Sequence, residues 1–155
     1  MVRWVYSVEK IYETKTTTTH VIILWASRHP PLREQISQLE KKFNSIAIYQ
    51  VSGVIPSAEA LLEVAEKVKA KIIVPVLPLS VIAKLVELTK KQDTIILLAK
   101  MNNIAVTRDI NEAQRIVAEK PDSRTIATYA DGVVRVFEFD KFEKIVEVKL
   151  ITEPI

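Results

Sequence analysis

Ser27, Arg28 and His29 put a hydroxyl, a guanidinium and an imidazole on three consecutive residues, a combination found nowhere else in the chain. A guanidinium can grip a phosphate or carboxylate through two parallel hydrogen bonds. An imidazole can hold or move a proton near neutral pH. Together they suit the binding of a small anion, or acid–base chemistry upon one.

The flanking residues say where the triplet sits. Before it runs Val21-Ile22-Ile23-Leu24-Trp25-Ala26; after it come Pro30-Pro31, then Leu32, Ile36, Leu39 and Phe43, spaced four, three and four apart. An uninterrupted apolar run followed by helical spacing predicts a buried strand, a polar elbow and an amphipathic helix, the opening half of a βαβ unit. Open α/β sheets bind ligands outside the carboxyl ends of their strands, and the elbow would lie there. A helix start adds unpaired N–H groups and a partial positive charge. Pro30 and Pro31 carry no N–H and remove two donors. The competing reading is structural: Ser27 or His29 caps the helix, a proline takes its first turn, and Arg28 is solvated.

Further strand ends would join the same rim. A strand over 46–51 leaves through Ser52-Gly53, and one over 71–77 leaves through Pro78-Leu79-Ser80. A fourth strand, 94–99, ends at Lys100. The candidate ligand-binding set is therefore Ser27, Arg28, His29, Ser52, Gly53, Ser80 and Lys100, with His29 the one candidate catalytic group. Gly53 either admits a ligand to the backbone or simply permits a turn. Glu59 is the nearest carboxylate, in a helix's first turn where acids are favoured on structural grounds.

Several chemistries lack their residues. There is no G-x-G-x-x-G and no G-x-x-x-x-G-K-[ST], so neither standard phosphate cradle is expected. Cysteine is absent, which removes disulfides, thiolate catalysis and Cys-ligated zinc. His20 and His29 bracket the first strand, and six extended residues of about 3.3 Å each hold them roughly 20 Å apart. No metal site and no cofactor are predicted.

The elements that would position these groups predict an α/β fold. It is a Rossmann-like three-layer domain with a four-stranded parallel sheet and a C-terminal antiparallel β-hairpin appendage. Numbering the parallel strands along the chain, the order is 3-2-1-4 or 2-1-3-4. Pro75 lacks a ladder donor and tips the choice towards 3-2-1-4, which leaves the third strand at an edge. Ser57, Ser80 and Asp109 are the expected helix caps. One domain spans 1–155: an N-terminal strand arm over 1–20, the core over 21–100, a loop and short helix over 101–124, and antiparallel strands over 125–155. In this scheme Met101-Asn102-Asn103 is a loop, Asp131-Gly132 turns a hairpin, and 145–152 is a last strand after a turn at Asp140-Lys141. Leu24, Ile36, Leu39, Ile48, Leu61, Ile73, Leu85 and Ile96 are the expected core. Trp4, Tyr6, Phe137, Phe139 and Phe142 suit packing or an interface, with base stacking on a sheet face the sharper alternative.

With 48% hydrophobic and 26% charged residues the chain is ordinary for a soluble, cytoplasmic globular protein. Its apolar runs are far short of the roughly 20 residues a membrane-spanning helix needs. The net charge of +3 is compatible with nucleic acid without arguing for it. The Ile-, Lys- and Glu-rich, glycine-poor composition suits a thermophile, and strand formers at both termini suit a homodimer. The expected function is a module binding a small anionic ligand, such as a nucleotide. The alternatives are a metal-independent hydrolase or transferase on a phosphoester, using His29 and Arg28, and a structural or interaction protein.

Overall fold

The computed structural model describes residues 6–155; Trp4, counted above among the packing aromatics, lies outside them. In chain order the elements are β1 (Tyr6–Glu13), β2 (Val21–Ala26), α1 (Arg33–Phe43), β3 (Ile46–Gly53), α2 (Ala58–Val68), β4 (Ile72–Pro75), α3 (Leu79–Thr89), β5 (Ile95–Thr107), α4 (Ile110–Glu119), β6 (Arg124–Thr128) and β7 (Val134–Lys144). The strands are ordered β1-β3-β2-β4-β5-β7-β6. The expected α/β content is present, but the Rossmann-like three-layer domain with a four-stranded parallel sheet is not. Among the described residues the sheet is mixed and has seven strands, accompanied by four helices.

Two compact units divide the chain. The first holds the described residues up to Pro30, then Phe43–Leu98 and Lys144–Ile155. In it β3, β2, β4 and the start of β5 run parallel, and β1 adds antiparallel to β3. In the numbering of the four predicted parallel strands this order is 2-1-3-4. The lean towards 3-2-1-4 fails because Pro75 is the last residue of β4. Its neighbour Val76 donates to the Ala26 carbonyl at 2.9 Å on the β2 side. The proline nitrogen, on the alternate side, faces β5, where paired residues stop at Ile73 and Ile96. The missing N–H therefore costs no ladder bond.

Leu24, Ala26, Val51, Ile73 and Ile96 pack with Leu61, Val64 and Ala65 of α2 and with Ile82, Leu85 and Val86 of α3. The residues of alternate parity, Ile23, Trp25, Ile48, Ile72 and Val74, are buried as well. Burial on both faces explains why these strands read as unbroken apolar runs. Ser57 caps α2 as expected, its Oγ accepting from the Ala60 amide at 3.2 Å. Ser80 does not cap α3; the helix begins at Leu79, and Pro78 stands at its cap without a side-chain hydrogen bond.

Lys69 closes α2 in the left-handed region, φ 62°, and the Ala70 amide reaches back to the Ala65 carbonyl at 2.8 Å. That is the Schellman arrangement, in which glycine is favoured because a Cβ is strained there. Lys69→Gly should therefore stabilise the protein by about 0.5–1 kcal/mol, net of the added freedom of the unfolded chain. A denaturant titration showing a lower midpoint would contradict this account of the turn.

On β1, Lys10 donates to Glu13 at 2.8 Å. This hydrogen bond holds the Glu13 carboxyl below its ordinary value of 4.5. A depressed carboxyl stabilises the fold above that value and loses the contribution as the pH falls through the folded pKa. The stability difference between wild type and Glu13→Gln should thus be present at neutral pH and vanish in acid. A difference that persists at pH about 2 would assign it to another cause.

The second unit holds Pro31–Lys42 and Ala99–Glu143. β5 runs unbroken to Thr107, so the loop expected at Met101-Asn102-Asn103 is strand. Ile104, Val106 and Thr107 have strand propensity enough to carry the two asparagines. Asp109 caps α4, accepting from Asn111 at 2.9 Å. The hairpin turns at Asp131-Gly132 as expected, with Gly132 at φ 82° and β6 antiparallel to β7. Ala113 of α4 packs on Val134 and Val136, flanked by Ala105, Ile116, Val117 and Ile126.

β7 continues through Asp140-Lys141 to Lys144, because both polar side chains can point to solvent from a strand. The final strand expected over 145–152 does not form. After the Ile145 amide donates to Ile96 at 2.8 Å, the segment follows no ladder. Of the expected core, seven residues are buried and Ile36 is half-buried. Gln35 is buried beside it; its Oε1 accepts from the Leu32 amide at 2.7 Å and its Nε2 lies 3.7 Å from Met101 Sδ.

Candidate functional site

The elbow is built by its neighbours. Trp25, 3% exposed, donates from its indole N–H to the His29 carbonyl at 2.8 Å. Gln50, two positions along β3 from the buried Ile48, donates from Nε2 to the Ser27 carbonyl at 2.9 Å. Ser27 Oγ accepts from the His29 amide at 3.2 Å, a local turn in which a hydroxyl replaces a backbone acceptor. Three side chains thus hold the backbone of residues 27–29. Arg28 and His29 stand exposed on that frame. Neither the guanidinium nor the imidazole has a hydrogen bond or ion pair among the described residues.

The adjoining strand ends complete the rim. Val76 is tied to Ala26 at 2.9 Å, which sets the exit of β4 beside that of β2. β2 and β4 are the neighbours whose following connections lead to opposite sides of β2 in the strand order, the switch point of an open sheet. Val54, Val76 and Leu79 are 70%, 59% and 68% exposed on these exits. Gly53 ends β3 at φ 107°, a value that reserves the position for glycine.

The other predicted residues are placed as follows. The Ser52 hydroxyl meets the Ser7 hydroxyl at 3.1 Å across the β1–β3 pair. Ser80 lies in the first turn of α3 with a free hydroxyl among the described residues. Lys100 belongs to the second unit, 3.6 Å from Glu143. At the start of α1 the Leu32 N–H goes to Gln35 and the Glu34 N–H to the Asp122 carbonyl at 3.0 Å. Both amides are therefore engaged within the second unit.

His20, the second histidine, donates from Nε2 to the Thr14 carbonyl at 2.8 Å and lies 3.7 Å from Glu13. It anchors the connector after β1. Arg124 is equally structural: it donates to the Ile116 carbonyl at 2.7 Å, to Glu119 at 3.0 Å and to Glu138 at 3.2 Å. The two carboxylates hold its guanidinium above its ordinary value, led by the Glu119 hydrogen bond. Among the described residues no three metal-ligating side chains converge, and no helix is long and apolar enough to cross a membrane.

Trp25 and Gln50 are the site residues that pattern reading passes over. Trp25 counts as apolar in a buried run, and its N–H becomes visible only when an acceptor is placed beside it. Gln50 carries a signal, a lone carboxamide at the end of an apolar strand, which asks for a partner wherever it is half-buried. Comparison of the chain with protein-family models, with curated proteins and with solved structures finds no match.

Proposed function

We propose that the protein is a binding module for a small anionic ligand, a phosphate ester or nucleotide, held at the carboxyl ends of β2, β3 and β4. The observation that carries this reading is Arg28: an unpaired cation on an elbow braced by the Trp25 indole and the Gln50 carboxamide. Bracing of this kind lowers the ordering cost that a ligand would otherwise meet. The exposed Val76 and Leu79 offer apolar contact for the remainder of such a ligand. Binding is favoured over hydrolysis or transfer because, among the described residues, the His29 ring has no carboxylate to orient it, as an acid–base histidine normally has.

Calorimetric titration with inorganic phosphate and a panel of nucleoside phosphates tests the proposal. Arg28→Ala should weaken binding by about 1.5–3 kcal/mol, the usual worth of a charge-assisted hydrogen bond. Its melting temperature should stay close to wild type, because an exposed unpaired arginine contributes little to folding. His29→Ala should weaken binding modestly, with no product formed by either protein. Equal affinity of wild type and Arg28→Ala for every anion would remove the elbow from consideration. Turnover abolished by His29→Ala with binding intact would transfer the site to the hydrolase or transferase reading.

A further inference from the structure

The hairpin of the second unit carries a different constellation. Val134 and Val136 turn one face of β7 into the core beneath α4. Arg135 and Phe137, of opposite parity, stand on the other face. Their cross-strand partners on β6 are short: Ala127 opposite Arg135 and Thr125 opposite Phe137. Small residues there leave the guanidinium and the ring standing above the sheet, and a groove of about 440 Å³ opens beside them. Tyr129 and Asn103 line it as well. Arg135 Cζ lies 5.5 Å from the centre of the Tyr129 ring.

Each group has an unused capacity. Arg135 makes no ion pair or hydrogen bond among the described residues, and only the ring of Tyr129 engages it. Guanidinium stacking occupies one face of that ring and leaves the N–H donors at its periphery. The Asn103 carboxamide is free among the described residues and offers both a donor and an acceptor. Asp131, the one acid on the groove, directs Oδ1 to the Val133 amide at 3.1 Å. Arg108 holds the same turn through the Asp131 carbonyl at 3.1 Å, so the wall carrying Tyr129 is fixed.

We infer that this groove binds one nucleotide unit, its base stacked on Phe137, its edge met by Asn103 and its phosphate by Arg135, which the Tyr129 ring holds in place. Aromatic surface suits the base, an uncompensated guanidinium suits the phosphate, and the volume is in the range of small-ligand sites. Such a unit can be free or part of a single strand, and the two sources share this chemistry. The site lies in the second unit and does not depend on the elbow.

The test follows backbone amides by NMR while the full chain is titrated with AMP, UMP, inorganic phosphate and a single-stranded RNA of about eight nucleotides. Shifts should appear at 103, 129–131, 133, 135 and 137. Phe137→Ala should weaken binding about 5- to 150-fold, the range for loss of one stacked base. Arg135→Ala should weaken it about 10- to 150-fold and flatten its salt dependence. Both side chains are solvent-accessible, and matching thermal melts will show that the variants are folded. Monophosphates binding as tightly as RNA identifies a free nucleotide as the ligand; RNA binding more tightly identifies a strand. Either supports the site. It is overturned if no nucleotide shifts these amides, if inorganic phosphate does so equally well, or if both folded variants bind as wild type does.

Discussion

Trp25→Ala should destabilise the protein by about 3–5 kcal/mol, the usual cost of emptying a buried tryptophan site. Trp25 is 3% exposed, in the central strand of the first unit, between β3 and β4. A parallel sheet buried on both faces has little freedom to collapse onto the space left behind. Folded domains of this size are stable by only about 5–15 kcal/mol, so this variant would lie near the edge of folding. Trp25→Phe divides the effect. It keeps most of the apolar bulk and deletes the indole donor to the His29 carbonyl. Because His29 is exposed, water can replace that donor, and the hydrogen-bond share should be about 0.5–1 kcal/mol. Urea titration of the three proteins gives both numbers. If the phenylalanine variant lost as much as the alanine variant, the indole would be acting as a brace and the packing argument would fail. On the proposed function, Trp25→Phe should also weaken anion binding, since it frees the backbone beneath Arg28.

Leu85→Ala should cost about 2–5 kcal/mol, while Leu79→Ala, six residues earlier in the same helix, should change stability by no more than about 0.5 kcal/mol. Leu85 is 0% exposed, packed among Ile82, Val86 and the sheet; Leu79 is 68% exposed. Residue type and secondary structure are shared, so the contrast isolates burial. The pair also separates fold from site, because Leu79 lies on the rim. Lower ligand affinity in Leu79→Ala at unchanged stability would support an apolar contact there. A large stability loss in Leu79→Ala would mean that α3 packs on another face than the one described.

The candidate site was half legible in the sequence. Ser27-Arg28-His29 could be placed at a strand end because a six-residue apolar run and a helical periodicity flank them. Their bracing could not, since Gln50 is 23 residues away from Ser27 in the chain. Ser52 and Lys100 were placed on the rim by strand end alone. Structure pairs the first with Ser7 and the second with Glu143, contacts between residues 45 and 43 positions apart. Long-range polar partners leave no periodic trace.

Local signals were sufficient wherever a short stretch of chain decides its own conformation. The buried strands β2, β3 and β4, the helices α1 to α3, the Ser57 and Asp109 caps and the Asp131-Gly132 turn all follow from residues within a few positions of one another. Tertiary structure alone decided how those elements were joined. Strand order turned on where Pro75 fell relative to the end of the β4–β5 pairing. β1 joined β3 and not the C-terminal strands, and β5 and β7 ran through residues that resemble turns. A polar pair such as Asn102-Asn103 or Asp140-Lys141 breaks a strand only if no neighbouring strand offers hydrogen bonds to hold it. The segment from Val146 onward, with the propensity of a strand, remains without one. Strand formation is a property of pairs, and the sequence of one member does not contain its partner.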